Sequence, residues 1–182
     1  MPAWQPAYIG MGSNLEDPCS QVLRAAAALA RVPKTVLILR SPLYGSRPLG
    51  PIAQPDFVNA VAGVLTQLQP LALLRELRSL EQAFGRPVAH ERWGPRILDL
   101  DLLVQGQEVR ATSELTLPHP GIVARNFVLY PLADIAPDLQ VPSLGRVAEL
   151  KGRVSPQGIW PIESGAPGAT IATRASNAGH AR

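Results

Sequence analysis

The sequence has few of the residues that fasten secreted proteins or anchor membrane proteins. One cysteine, Cys19, in 182 residues excludes an intrachain disulfide. Three histidines, His90, His119 and His180, share no zinc-like spacing with it or with each other, so a structural zinc site is not expected. No uncharged apolar run reaches about 18 residues, and the start MPAWQPAYIG lacks the charged region and apolar stretch of a secretory leader. Neither a membrane span nor export is expected, and a cytoplasmic protein is the default. Aromatic residues are only 5% of the chain, with none of the sheet-borne aromatic runs on which single-stranded RNA stacks, so a nucleic-acid-binding role is not expected. Charge of neither sign dominates: 17 basic against 14 acidic side chains leave +3, a balance that suits an anionic small molecule as well as nucleic acid.

Apolar residues, in short punctuated runs, are abundant. Hydrophobic residues make up 46% and charged residues 17%, the composition of one globular domain with a true core. Ala7 to Met11 reads as a buried strand, and Gly12, Ser13 and Asn14 turn it toward a helix that Asp17 caps and Pro18 opens. That helix carries Val22, Ala25, Ala26 and Leu29 at helical spacing and stops before Pro33. Val36 to Leu39 is a second strand, and the proline-rich stretch SRPLGPIAQP from Ser46 to Pro55 is a loop. Phe57 to Thr66 alternates as a strand, with Phe57, Asn59 and Val61 on one face and Val58, Ala60 and Ala62 on the other. Pro70 to Phe84 places Leu73, Leu77, Leu80 and Phe84 on one helical stripe, and Gly85 suits its end.

A second loop covers Arg86 to Arg96, followed by a strand from Ile97 to Val104 and a short extension at Glu108 to Arg110. His119, Pro120 and Gly121 form a turn, and Asn126 is expected to cap a helix through Ile135. The order β, α, β, β, α, β predicts an α+β fold of the split βαβ, ferredoxin-like kind, an antiparallel sheet with packed helices in three αβα layers. Residues 1–150 are expected to form the domain. From Lys151 onward periodicity fades and Gly, Ala, Ser, Thr and Pro dominate, which predicts a poorly ordered tail over 151–182 with Ile159 and Trp160 touching the body.

The stretch ERWGPRILDLDLLV, Glu91 to Val104, poses the sharpest question. Asp99 and Asp101 share one face of a strand whose other face carries Leu98, Leu100 and Leu102. Two carboxylates roughly 6 to 7 Å apart repel by about 2 to 3 kcal/mol at an effective dielectric of about 20. A solvated face would screen them; a divalent cation would offset them, and two nearby guanidinium groups would then suit a polyphosphate. The flanking loop, with Arg86, His90, Arg92, Trp93 and Arg96, is either an ordinary basic loop or a binding lid. Phe57 and Asn59 read equally as core and ladder end, or as a ring and an amide that recognise a flat heterocycle. His119 reads as a turn residue and Arg125 as surface charge unless a site gathers them.

Several nucleotide devices are absent. Gly10, Met11 and Gly12 begin like a dinucleotide loop, but Leu15 occupies the third glycine position, and no Walker A lysine, nucleophile-elbow serine or kinase catalytic loop is present. Taken together, however, GSNL at Gly12, PLGP at Pro48, QPDFVNAV at Gln54, ERWGPRILDLDLL at Glu91 and LPHP at Leu117 resemble the 6-hydroxymethyl-7,8-dihydropterin pyrophosphokinase family over residues 7–142. The resemblance implies a folate-biosynthesis transferase that moves pyrophosphate from ATP to the hydroxymethyl group of a reduced pterin and releases AMP. It implies two Mg²⁺ ions on Asp99 and Asp101, with Arg86 and Arg96 completing the catalytic set. A pterin site would comprise Ser46, Arg47, Leu49, Phe57, Asn59 and Phe127. An ATP site would comprise Glu81, Arg86, Trp93, Arg96, Leu102, Leu115, Thr116, His119 and Arg125. The expected partners are these two small molecules, and the expected state is a monomer. A catalytically dead relative would be expected to lose Asp99, Asp101 or Arg96, and all are intact. Arg47, Arg78, Val88 and Pro120 depart from the family's usual Pro, Gln, Arg and Tyr, which implies altered affinity and lid kinetics with the same reaction.

Overall fold

The computed structural model describes residues 2–85 and 94–163. In chain order the elements are β1 (Gln5–Ser13), α1 (Pro18–Leu29), β2 (Thr35–Arg40), β3 (Tyr44–Ser46), β4 (Phe57–Thr66), α2 (Pro70–Ala83), β5 (Asp99–Gln105), β6 (Arg110–Ala111), β7 (Thr116–Leu117), a 3₁₀ turn (Ile122–Ala124), α3 (Asn126–Ile135), β8 (Gln140–Val141), β9 (Gly145–Arg146), α4 (Val147–Lys151) and β10 (Ile159–Pro161). The main sheet runs β10-β3-β4-β1-β5, with β2 also paired to β4, and all its pairings are antiparallel. Strand β4 is long enough for β2 to pair along its C-terminal half and β3 along its first residues. The fold is therefore α+β, built on an antiparallel sheet.

Alternation along β1, β4 and β5 divides the core in two. Ala7, Ile9 and Met11 of β1, Val58, Ala60, Ala62 and Val64 of β4, and Leu100 and Leu102 of β5 bury one sheet face with Val22, Ala25 and Leu29 of α1 and Leu73 and Leu77 of α2. The opposite face is covered over only part of its length: Val61, Leu103 and Val104 pack there with Val128, Leu129 and Leu132 of α3 and with Val147 and Leu150 of α4. Strand β5 carries one extra residue at this point. Ile9 pairs with Leu102 but Tyr8 with Val104, so Leu103 is bulged and both Leu103 and Val104 reach the second core.

The helices begin as their residues dictate. Asp17 accepts a hydrogen bond from Ser20 N at 3.2 Å and Pro18 occupies the first turn of α1. Helix α2 opens on Pro70 and stops where Gly85 adopts φ +94°, a conformation that favours glycine.

Four expectations change. The Ser46–Pro55 loop is preceded by a short strand, β3, too brief to show a period. The extension at Glu108 to Arg110 is instead β6, Arg110–Ala111, paired with β7 as a separate ribbon. Asn126 does not cap α3: it is the helix's first residue and Arg125 holds the cap position without a side-chain bond. Its amide donates instead to Ser155 O at 2.8 Å and Gln157 O at 2.9 Å. Finally, the boundary at Lys151 falls inside α4, and the chain returns as β10 to pair Ile159 with Ser46, Trp160 with Gly45 and Pro161 with Tyr44. Part of this segment is thus paired to the main sheet, held mainly by backbone bonds, which leave no periodic side-chain pattern. The expected tail beyond residue 163 lies outside the described residues.

The Trp160 indole lies on Gly45 so closely that a Cβ there would come 2.2 Å from Cε2. Gly45→Ala must push the ring aside and is expected to cost about 1 to 3 kcal/mol, the usual penalty of overpacking. In a Trp160→Ala background the same substitution should cost much less. Urea unfolding of the four proteins checks this; equal losses in both backgrounds would contradict the contact.

Candidate active site

The uncovered half of the second sheet face is floored by two glycines. Gly10 of β1 pairs with Asp101 on one side and Val61 on the other, and Gly12 pairs with Asp99 and Asn59. With no side chain at either position, the flanking side chains stand at the edges of an open floor. A Cβ at Gly12 would lie 3.3 Å from Asn59 Oδ1. Gly10, Gly12, Phe57, Asn59, Asp99 and Asp101 all line one cavity.

The acidic pair is where alternation places it, on the floor side of β5, with Leu100 between the two aspartates facing the first core. Cations surround both carboxylates. Arg96 donates to Asp99 Oδ2 at 2.7 Å. Arg125 Nη1 and His119 Nε2 each stand 3.7 Å from an oxygen of Asp101. Arg125 lies flat over Gly121, where a Cβ would come within 2.7 Å of the guanidinium. Even so, desolvation in the cleft, joined by the charge of Asp99, pushes the Asp101 carboxyl above its ordinary range. The opposing cations reduce that rise without cancelling it. Desolvation also lowers the His119 pKa, and the charge of Arg125 adds to the lowering against the pull of Asp101. Its Nδ1 accepts from Gly121 N at 3.0 Å, so the neutral ring carries its proton on Nε2, toward Asp101. Two hard oxygen donors on one rigid strand face, short of positive charge, fit a divalent cation such as Mg²⁺.

The walls of this cavity come from distant elements. Ser46 ends β3 and Arg47 and Leu49 follow it, Phe57 and Asn59 begin β4, and Arg125, Phe127 and Val128 open α3. Ser46 Oγ accepts from Asn59 Nδ2 at 2.8 Å, which fixes the amide. Arg125 stands 5.8 Å from the Phe127 ring centroid. Arg47 uses its main-chain N–H, bonded to Gly158 O at 2.9 Å, which the proline usual at this position would lack.

Asn14, read from the sequence only as part of a turn and of the GSNL motif, holds the rim of the site together. It is buried, accepts from Arg96 N at 2.8 Å, and donates to Gln54 Oε1 and Pro55 O, each at 3.0 Å. One amide thus joins the end of β1, the loop before β4 and the loop before β5. The only sequence signal was its place just after the glycines of the first strand.

A second cavity adjoins the first. Leu102, Leu115, Thr116 and His119 line it together with Asp101, which lines both. The structure therefore gathers the expected pterin residues in one cavity and these four expected ATP residues in the other, while Arg96 and Arg125 line the first. Pro120 lies in the second. Glu81 lines neither: its Oε1 accepts from Leu100 N at 2.7 Å, at the outer edge of β5 between the two aspartates. Arg86, Val88, His90, Arg92 and Trp93 lie outside the described residues.

Comparison with known proteins shows the family. The family model for 7,8-dihydro-6-hydroxymethylpterin-pyrophosphokinase matches residues 8–137. The 2-amino-4-hydroxy-6-hydroxymethyldihydropteridine pyrophosphokinase of Pseudomonas aeruginosa is 48% identical over 155 residues, 85% of this chain and 95% of that one. The protein of the same name from Haemophilus influenzae is 46% identical over 144 residues, 79% of this chain and 89% of that one. Among solved structures, Plasmodium falciparum HPPK-DHPS with pterin and p-hydroxybenzoate aligns with TM-score 0.66 at 15% identity, over 84% of this chain and 43% of that chain, a likeness of fold. On the family match and the two bacterial relatives, the chain belongs to the 7,8-dihydro-6-hydroxymethylpterin-pyrophosphokinase family.

Proposed function

We infer that this chain transfers pyrophosphate from ATP to the hydroxymethyl group of 6-hydroxymethyl-7,8-dihydropterin, giving AMP and the pterin diphosphate in folate biosynthesis. The observation that carries the reading is that Asp101 lines two adjoining cavities, one with aromatic and amide walls and the other mixing leucines with hydroxyls, Glu114 and His119. In our assignment the first takes the pterin, with its rings between Phe57 and Phe127, its polar edge on Asn59, and Ser46, Arg47 and Leu49 around it. The second takes the nucleotide along Leu102, Leu115, Thr116 and His119.

The pterin hydroxyl attacks the β-phosphorus; a new O–P bond forms, the α–β bridging bond breaks, and AMP leaves. Such transfers depend chiefly on positioning and charge neutralisation. Arg96, held toward the floor by its main-chain bond to Asn14, would bring positive charge to the phosphates together with Arg125, and the resemblance adds Arg86 and Trp93 to the ATP side. His119 would donate from Nε2 to an anionic oxygen. Glu81, assigned to the ATP side by resemblance, acts here through the strand by holding Leu100 N. No residue is required as an obligatory general base.

Asp99 and Asp101 would hold two Mg²⁺ ions, which supply electrophilic stabilisation of phosphate charge. We further propose that the helices α1 and α2 on one face and α3 and α4 on the other make the ferredoxin-like, three-layer αβα arrangement, with the folded domain running through Ile162. The chain is proposed to act as a monomer in the cytoplasm; no described helix is long and apolar enough to cross a membrane.

The reaction is tested by product analysis. With ATP, Mg²⁺ and the hydroxymethyl pterin, AMP and pterin diphosphate should form in equal amounts and fail to form after chelation; ADP as the main product would refute pyrophosphate transfer.

Asp101→Asn removes one charge with little change of volume. Because burial and Asp99 both oppose that charge, the variant should melt at the same or a higher temperature without Mg²⁺. Its single-turnover rate should fall by roughly 10² to 10⁴, several kcal/mol at 1.36 kcal/mol per decade. Near-normal turnover would return the acidic pair to a solvated strand face.

A further inference from the structure

The segment from Ser155 to Ile162 lines neither cavity, yet it grips both walls of the first. On the α3 side, Asn126 sits between Arg125 and Phe127 and donates to Ser155 O at 2.8 Å and Gln157 O at 2.9 Å. On the β3 side, Arg47 N donates to Gly158 O at 2.9 Å and Ile162 N to Leu43 O at 2.8 Å. Between these anchors β10 pairs with all three residues of β3, and the Trp160 ring presses on Gly45.

This path reaches the recognition groups without touching them. Ile159 pairs with Ser46, and Ser46 Oγ accepts from the Asn59 amide at 2.8 Å. The register of β10 on β3 therefore bears on the direction in which Asn59 presents its oxygen. The Asn126 bonds fix the first turn of α3, and with it Phe127, relative to that same strand. The distance between the α3 wall and the β3 and β4 wall is spanned outside the cavity by eight residues, 155 to 162, fastened at both ends. Asn126 is suited to this task because its two amide hydrogens reach two carbonyls of one turn; a helix cap would have used its oxygen instead.

We propose that Ser155–Ile162 is a strap that sets the width of the pterin cavity, with Asn126 as its positioning residue, and that it acts on pterin affinity more than on ATP affinity, which it reaches only through Arg125. The proposal rests on assigning the first cavity to the pterin. The strap has no contact with the second cavity, so loosening it separates the two substrates. Loss of two hydrogen bonds to main-chain carbonyls lets the α3 wall relax outward, and the stacking geometry of Phe127 is lost with it.

The test is steady-state kinetics on the full-length chain and on Asn126→Ala, with each substrate varied at saturation of the other, together with melting temperatures. The variant should raise the pterin KM about tenfold, equivalent to about 1.4 kcal/mol, and leave the ATP KM and kcat within about twofold. Asn126→Gln, which keeps the paired donors on a longer arm, should recover part of the loss. An unchanged pterin KM with a lower melting temperature would overturn the proposal, leaving the strap a fastening only. Equal changes in both KM values and kcat would overturn it as well. Should the alanine variant fail to fold, Trp160→Ala, which loosens the same strap from β3, gives the same two outcomes. The wild-type arm separates the strap from the reading beneath it: absence of pterin-dependent AMP from the wild-type chain overturns the cavity assignment, whereas normal wild-type turnover with unaltered variants overturns the strap alone.

Discussion

Two like charges held on one face of a single strand constrain the rest of this molecule. Asp99 and Asp101 cannot turn away from each other, because Leu98, Leu100 and Leu102 are buried on the opposite face and a one-residue slip would bury the carboxylates instead. The structure surrounds the pair with Arg96, His119 and Arg125, each delivered by a different loop or turn. The two guanidinium groups and the His119 N–H do not fully offset the burial of Asp101, whose carboxyl remains raised. That residual imbalance is what the proposed divalent cation would relieve, since a pair already satisfied by internal salt bridges would gain little from a metal.

The bare floor of the cleft follows from the same strand arithmetic. Tyr8, Gly10 and Gly12 lie on one face: Tyr8 packs on the second core, Leu103 of that core reaches over Gly10, and Gly12 is left beside Asn59 in the cavity. The bulge at Leu103 helps end the covered zone sharply, because it turns two successive residues of β5 into the core just beyond Asp101. Asn14 then ties the rim together by bonding two loops and the end of β1 through one side chain. Position along β1 thus separates the packing half of the sheet from the chemical half.

Much of this was legible in the sequence because the long elements carry strong periods. Strand β4 spans Phe57–Thr66 as alternation predicts, and α1 and α2 follow their apolar stripes and prolines. The faces of Asp99 and Asp101 also follow from alternation alone. What could not be read is held by backbone or by long-range side-chain bonds. Strands β3 and β10 have three residues each, less than two periods of alternation. Asn126 looked like a local cap because that role needs only neighbours in sequence, whereas its partners are 29 and 31 residues away. Glu81 likewise has among its partners a main-chain amide of β5, which no local pattern in the sequence could reveal. Resemblance to a family named the candidate residues, and the structure shows which of the described ones line the two cavities and that Glu81 lines neither.

The outer boundaries of the sheet have a bearing on solubility. An open strand edge invites another chain to add itself, and each outermost strand here is poorly suited to that role. On β5, the carboxylate of Glu81 already occupies Leu100 N. Strand β2 is interrupted by a register shift between Leu37 and Leu39, which breaks the regular ladder that an incoming strand would need. Strand β10 covers β3 and ends on Pro161, which has no N–H to offer. An incoming strand would find a three-residue template with one donor missing. The C-terminal strand therefore guards against edge-to-edge self-association while it braces the pocket from outside.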